Sequence, residues 1–359
     1  MDILTFENVS FTYALGERPA LRDINLSFAE IGFYLICGPS GSGKSTLLRM
    51  MKKNLIPGGD LSGSVAYMGT EISEMDNLSC AAEIGFVQQN PAEAIVTDVV
   101  WHELAFGLEN LGLPNEVMRR RVAEMAAFFG IESWYDKPTG ELSGGQQQML
   151  NLASVMVMQP KVLLLDEPTS QLDPLAAGEF LQMLARINRE LGTTVILTEH
   201  RLEELFAMAD RIVIMNKGNI DQIDTPQNCY RNPKTESVAA LLGAGNAVHG
   251  TASADGAEAV RLGGVSCMAA GREGICREDP VSIRFRAENA VWRGDQNEGN
   301  GFPVTVEYSS FEGDFYRVMA KTAEGEPLCF LSREFLKKGV RGYVAVEKSR
   351  LYVYGRECA

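Results

Sequence analysis

A short apolar run, Phe33-Tyr34-Leu35-Ile36-Cys37, opens directly into Gly38-Pro39-Ser40-Gly41-Ser42-Gly43-Lys44-Ser45-Thr46, and a helix-patterned stretch continues to about Lys53. Strand, glycine-rich loop and helix in this order satisfy G-x-x-x-x-G-K-[ST] in the context the pattern needs. Glycines let successive backbone N–H groups turn toward one anion, and the helix N-terminus adds its positive dipole end. Gly38, Ser40, Gly41, Gly43, Lys44, Ser45 and Thr46 therefore read as a nucleotide phosphate site. Lys44 is expected to reach the β and γ phosphates, and Ser45 to hold Mg²⁺. The plain alternative is a glycine-rich turn with no ligand, and the completeness of the pattern in its context speaks against it.

A second apolar run, Val162-Leu163-Leu164-Leu165, ends in Asp166-Glu167-Pro168. Two carboxylates at the end of a buried parallel strand sit where open α/β sheets bind ligands. Phosphoryl transfer asks a protein mainly for positioning and electrostatics, so Asp166 is expected in the Mg²⁺ shell and Glu167 beside the attacking water. Without the glycine loop the same pair would read as a solvated turn.

The remaining pattern sets an α/β fold: a parallel core, an antiparallel β subdomain and a helical insertion. Phe6, Val9, Phe11 and Tyr13, then Leu21, Ile24, Leu26 and Phe28, predict antiparallel strands joined by a turn at Gly16. Apolar residues recur four apart from Val96 to Leu108, and a second helical pattern spans Val117 to Phe129, so a helical insertion is expected over about 90–140. Alternation of helix and buried strand from Leu142 to Leu197 predicts the parallel sheet, and 211–215 and 219–223 predict a strand pair. This domain is expected over 1–242, with a Gly/Ala-rich linker at 243–258. Short strand-like runs over 259–359 predict a small β-barrel-like domain.

Composition narrows the partners. The formal net charge of -14 disfavours binding to nucleic acid by phosphate neutralisation. No apolar stretch approaches the roughly 20 residues that span a bilayer, and the first residues do not resemble a signal peptide. A cytoplasmic chain, peripheral on the inner face of the cell membrane through other subunits, is expected. Cys37, Cys80, Cys229, Cys267, Cys276, Cys329 and Cys358 show no Cys-x-x-Cys pair, so reduced thiols are expected rather than zinc or disulfides.

Leu142-Ser143-Gly144-Gly145-Gln146 decides among nucleotide-binding families: it matches the signature of ATP-binding cassette (ABC) proteins, which the chain resembles from Thr5 to about Asp224. In isolation the pentapeptide would equally suit a capped helix. The resemblance implies that Ser143, Gly144, Gly145 and Gln146 close over the γ-phosphate held by a second ABC ATPase subunit, a copy or a paralogue, in a dimer with two ATPs. It also implies that Tyr13 stacks on adenine, although an aromatic on a strand is often plain packing. By the same resemblance Gln89, ahead of Gln88, joins the Mg²⁺ site to the insertion. Asp173 crosses the dimer, and His200 is the switch histidine on the γ-phosphate. Gln171, where a small residue is common, and the setting Thr198-Glu199-His200-Arg201 depart from the usual pattern.

Asn90-Pro91, the stretch Val99 to Leu113 and Thr198 to Glu204 most resemble the ATPases of energy-coupling factor importers, which take up vitamins and transition-metal ions. The insertion would offer integral membrane subunits a groove, though the same residues also fill its own core. Residues 218–233 and the tail strands resemble instead the oligonucleotide-fold regulatory domain of sugar, polyamine and oxyanion importers. A soluble cassette acting on a macromolecule is the remaining alternative.

Overall fold

The structure is a computed structural model that describes residues 1–199, 202, 204–262, 265–295 and 300–356, and the elements below are those of the described residues. The chain divides into two units, Met1–Pro226 and Gln227–Ala359.

In the first unit, β1 (Asp2–Tyr13) and β2 (Leu21–Ala29) pair antiparallel, as their alternating apolar residues require. Next come β3 (Phe33–Cys37), α1 (Lys44–Met50), β4 (Gly59–Tyr67), β5 (Thr70–Glu71), α2 (Asn77–Glu83) and β6 (Ile84–Val87). The insertion follows as α3 (Pro91–Ala94), α4 (Val100–Asn110) and α5 (Asn115–Phe129). The chain then returns through α6 (Gly144–Met156), β7 (Val162–Asp166), α7 (Pro174–Leu191), β8 (Thr194–Thr198), β9 (Arg211–Asn216) and β10 (Asn219–Asp224).

One sheet runs β2-β1-β4-β5 and is antiparallel. The other runs β10-β9-β3-β8-β7-β6 and is parallel except for the β9–β10 hairpin. A shared core including Phe11, Phe28, Leu47, Leu48, Leu164 and Met215 packs them together. β3, β7 and β8 are buried at every residue, as a sheet covered on both faces demands. Among the described residues no helix is long and apolar enough to cross a membrane.

The second unit holds α8 (Pro226–Arg231), α9 (Glu236–Leu241) and strands β11 (Asn246–Ala252), β12 (Ala259–Leu262), β13 (Val265–Met268), β14 (Pro280–Phe285), β15 (Ala290–Trp292), β16 (Gly301–Phe311), β17 (Tyr316–Thr322), β18 (Pro327–Ser332), β19 (Arg341–Val346) and β20 (Tyr352–Gly355). They form antiparallel sheets β13-β12-β11-β14-β20 and β15-β19-β16-β17-β18 over one core, a nearly closed barrel-like arrangement. Phe285 and Phe302 meet edge-on across that core, with centroids 5.7 Å apart. The Asn246 amide exchanges hydrogen bonds of 2.8 and 2.6 Å with the Cys329 backbone, joining β11 to β18.

Two expectations about organisation are corrected here. The segment 243–258 is not a bare linker: it carries β11, in which Asn246, Val248 and Ala252 are buried against the barrel. The expected boundary at 242 falls inside the second unit, because 227–242 is fastened to the barrel by buried polar side chains. Arg286, 1% exposed, donates to the carbonyls of Leu242 and Tyr230 at 3.0 and 2.9 Å and to the Tyr352 hydroxyl at 2.8 Å. Its guanidinium also lies 3.5 Å from the centroid of the Tyr230 ring. Glu236 accepts from Ser282 and Arg284; burial alone would raise its carboxyl, but these bonds outweigh it and hold it below the usual range. Arg286→Ala leaves two carbonyls and a hydroxyl without this donor. It is expected to cost about 3 kcal/mol, read as a lower urea midpoint for the second unit.

Candidate functional site

Sheet register brings the site together. Ile36 of β3 pairs with Thr198 of β8, and Thr198 pairs with Asp166 of β7. The glycine loop after Cys37 and the carboxylates after Leu165 therefore leave the sheet together, at the carboxyl ends of its parallel strands.

The loop needs its glycines. Gly38 has φ +152°, and a Cβ there would lie 2.1 Å from the Met215 carbonyl oxygen. Gly43 caps α1 with φ +104°, and a Cβ there would lie 2.6 Å from the Ala20 oxygen. A side chain at either position would force the loop off the neighbouring backbone. Ser40 and Gly41 are exposed at its crest. Lys44, 5% exposed, donates from Nζ to the Gly38 and Pro39 carbonyls at 3.0 and 3.2 Å, so its ammonium lies under the loop.

Ser45 Oγ donates to Asp166 Oδ1 at 2.8 Å, and Thr198 Oγ1 donates to the same oxygen at 2.9 Å. Thr198 also accepts from the Glu167 N–H at 3.0 Å through its hydroxyl and 3.1 Å through its carbonyl. Glu167 has φ +46°, a left-handed backbone that a non-glycine residue keeps only when its surroundings fix it. Thr198 thus orders both carboxylate residues at once. A serine hydroxyl and a carboxylate oxygen converging at 2.8 Å offer hard oxygen ligands of the kind Mg²⁺ takes alongside phosphate.

Tyr13 is 36% exposed, contacts Phe11 edge-on, and hydrogen-bonds the Thr46 hydroxyl at 2.8 Å. Its ring therefore stands beside the start of α1. Gln89 is exposed in the loop after β6, and the parallel pairing of Val87 with Leu165 brings that loop to the same strand ends that carry Asp166. His200 lies outside the described residues.

The signature pentapeptide forms a capped helix start. Ser143 Oγ accepts from the Gln146 N–H at 3.3 Å, and Gln146 Oε1 accepts from the Ser143 N–H at 3.0 Å. Ser143 and Gly144 remain exposed, and a Cβ on Gly145 would meet Ala176 at 3.1 Å. The cap takes only part of the donor set at this helix start, so capping and anion binding are compatible. Asp173 caps α7, accepting from the N–H groups of Leu175 and Ala176 at 3.0 and 2.9 Å.

Three residues of this network, Thr198, Gln148 and Glu199, were not among the site residues expected from the sequence. Gln148 is fully buried and donates to the Pro168 carbonyl at 3.0 Å and the Gln88 carbonyl at 3.4 Å. Glu199, 2% exposed, accepts from the Thr169 N–H and hydroxyl at 2.9 and 2.7 Å. The available signal was a polar residue at a position the apolar pattern predicts as buried.

A family model described as "ABC transporter" matches residues 21–170, and one described as "AAA domain, putative AbiEii toxin, Type IV TA system" matches 137–205. A putative ABC transporter ATP-binding protein of Bacillus cereus is 48% identical over 225 residues, 63% of this chain and 41% of that protein. Another such protein, from Methanosarcina acetivorans, is 41% identical over 217 residues, 60% of this chain and 35% of the relative. The chain thus matches about two fifths of the length of these curated relatives. Among solved structures, cbiO1 from Clostridium perfringens, described as part of the ABC transporter complex cbiONQ, superposes with a TM-score of 0.60 at 31% identity. The match covers 65% of this chain and 92% of that one.

Proposed function

The chain belongs to the family of ABC transporter ATP-binding proteins, and we propose that it is the ATP-hydrolysing subunit of an importer. In this reading two cassettes close around two ATP molecules and energise separate integral membrane subunits that take up a vitamin or a transition-metal ion. The observation that carries the hydrolytic part is the shared contact of Ser45 and Thr198 with Asp166, one residue before Glu167. The importer part is supported by the helical insertion and by the likeness to a subunit of the cbiONQ complex. Attachment to those subunits would make the chain peripheral on the inner face of the cell membrane.

The mechanism follows from the residues. Lys44 exchanges its two carbonyl partners for β- and γ-phosphate oxygens, and the loop N–H groups bind the same phosphates. Ser45, Asp166 and Gln89 would hold Mg²⁺, which would supply positive charge to offset the negative charge developing on the phosphates. Tyr13 stacks on adenine from its place beside α1. Glu167 orients the attacking water and accepts its proton. The new bond forms to the γ-phosphorus and the bond to the β-phosphate oxygen breaks, releasing ADP and phosphate. His200 contacts the γ-phosphate, while Ser143, Gly144, Gly145 and Gln146 cover the ATP of the opposite cassette and Asp173 reaches across the dimer.

A second reading, an importer of sugars, polyamines or oxyanions, is favoured by the barrel-like second unit. Purification from native membranes decides between them by what accompanies the chain. Integral membrane subunits with a vitamin- or metal-binding partner are expected. A soluble sugar-, polyamine- or oxyanion-binding partner would favour the second reading. A wholly soluble chain without membrane partners would overturn transport in favour of work on a macromolecule.

A further inference from the structure

Gln148 lies in the second turn of α6, the helix whose first turn is the signature, and its side chain is fully buried. Its amide nitrogen holds two carbonyls, that of Pro168 at 3.0 Å and that of Gln88 at 3.4 Å. Pro168 directly follows Glu167, and Gln88 directly precedes Gln89. One amide therefore fixes the backbone next to both residues to which the proposed function gives the water and the metal. Its oxygen has no hydrogen-bond partner among the described residues, so the donor half alone makes the grip.

The turn is also held from the other side. Glu199, next to Thr198 at the end of β8, binds the Thr169 N–H and hydroxyl. Residues 168 and 169 are thus clamped between α6 and β8, immediately behind a Glu167 whose left-handed backbone depends on its surroundings.

We propose that Gln148 is a positioning residue for hydrolysis, which ties Glu167 to the signature helix so that engagement of Ser143 by the neighbour's ATP sets the aim of Glu167 at the chain's own ATP. The inference rests on the proposed function, since it takes Glu167 as the group that orients water. Its physical basis is short and rigid: five residues of helix, about 7.5 Å, separate Ser143 from Gln148. A shift of α6 moves the amide, and the amide carries the Pro168 carbonyl with it. Misplacement of a reacting group by about 1 Å can reduce turnover about 100-fold.

The test compares the full-length wild-type chain with Gln148→Met, which keeps the length of the side chain and removes the donor. ATP affinity, kcat, KM and thermal midpoint are measured for each. The expected result is a kcat about 10- to 100-fold lower, with ATP affinity within about twofold of wild type. If the Met variant does not fold, Gln148→Leu, apolar and smaller, carries the same comparison. A double-mutant cycle with Ser143→Ala then reads the coupling: the combined loss should be clearly smaller than the product of the single losses. Wild-type kcat in the Gln148 variant, or losses that multiply, would overturn the positioning role. A wild-type chain without ATP hydrolysis would instead overturn the functional reading beneath it.

Discussion

Glu167→Gln should bind ATP about as tightly as the wild-type chain, lose about 10³-fold in turnover, and accumulate as a closed dimer in the presence of MgATP. The side chain starts from a fixed base. Its residue directly follows β7, its N–H is held twice by Thr198, and its backbone is locked at φ +46°. Glutamine fits the same space but cannot take the proton of the attacking water. Removing one negative charge beside the γ-phosphate also lessens repulsion, so the closed state should persist when its chemical exit is blocked. Single-turnover hydrolysis together with particle mass by light scattering checks both halves. Turnover at the wild-type rate would remove Glu167 from the mechanism.

Lys44→Ala should weaken ATP binding by about 100-fold or more, and turnover should fall with it. The ammonium is nearly buried beneath the loop and bonded to the Gly38 and Pro39 carbonyls, so little chain rearrangement is needed to present it to phosphate. Each hydrogen bond from a charged donor is worth about 1.5–3 kcal/mol, and the β and γ oxygens would lose at least one such partner. Titration with a fluorescent ATP analogue measures the loss. Unchanged affinity would mean that the loop does not bind the triphosphate.

Much of the fold was legible because two periodicities were strong. The buried runs 33–37, 162–166 and 194–198 lack polar interruptions, and the helical insertion repeats apolar residues every three to four positions. The glycine loop was legible because Gly38 and Gly43 occupy places where a Cβ would strike backbone. The hidden features depend on contacts between residues distant in sequence. Arg286 reads as a surface charge until Leu242, Tyr230 and Tyr352 surround it, which is why the boundary fell at 226 and not 242. Likewise, Gln148 reads as one of three similar glutamines, and only the packing of α6 separates it from Gln146, which serves the cap. Short strands such as β12, β13 and β15 carry too few residues to show alternation.

The central claim is that each chain holds half of an active site, with Lys44 and Glu167 serving one ATP and Ser143 serving its neighbour's. Mixing two separately inactive variants, Glu167→Gln and Ser143→Arg, tests it most directly by ATP hydrolysis. In a mixed dimer one site carries both lesions and the other carries neither, so activity should appear on mixing. If wild-type chain alone hydrolyses ATP but the two variants stay as inactive together as apart, the shared site is contradicted.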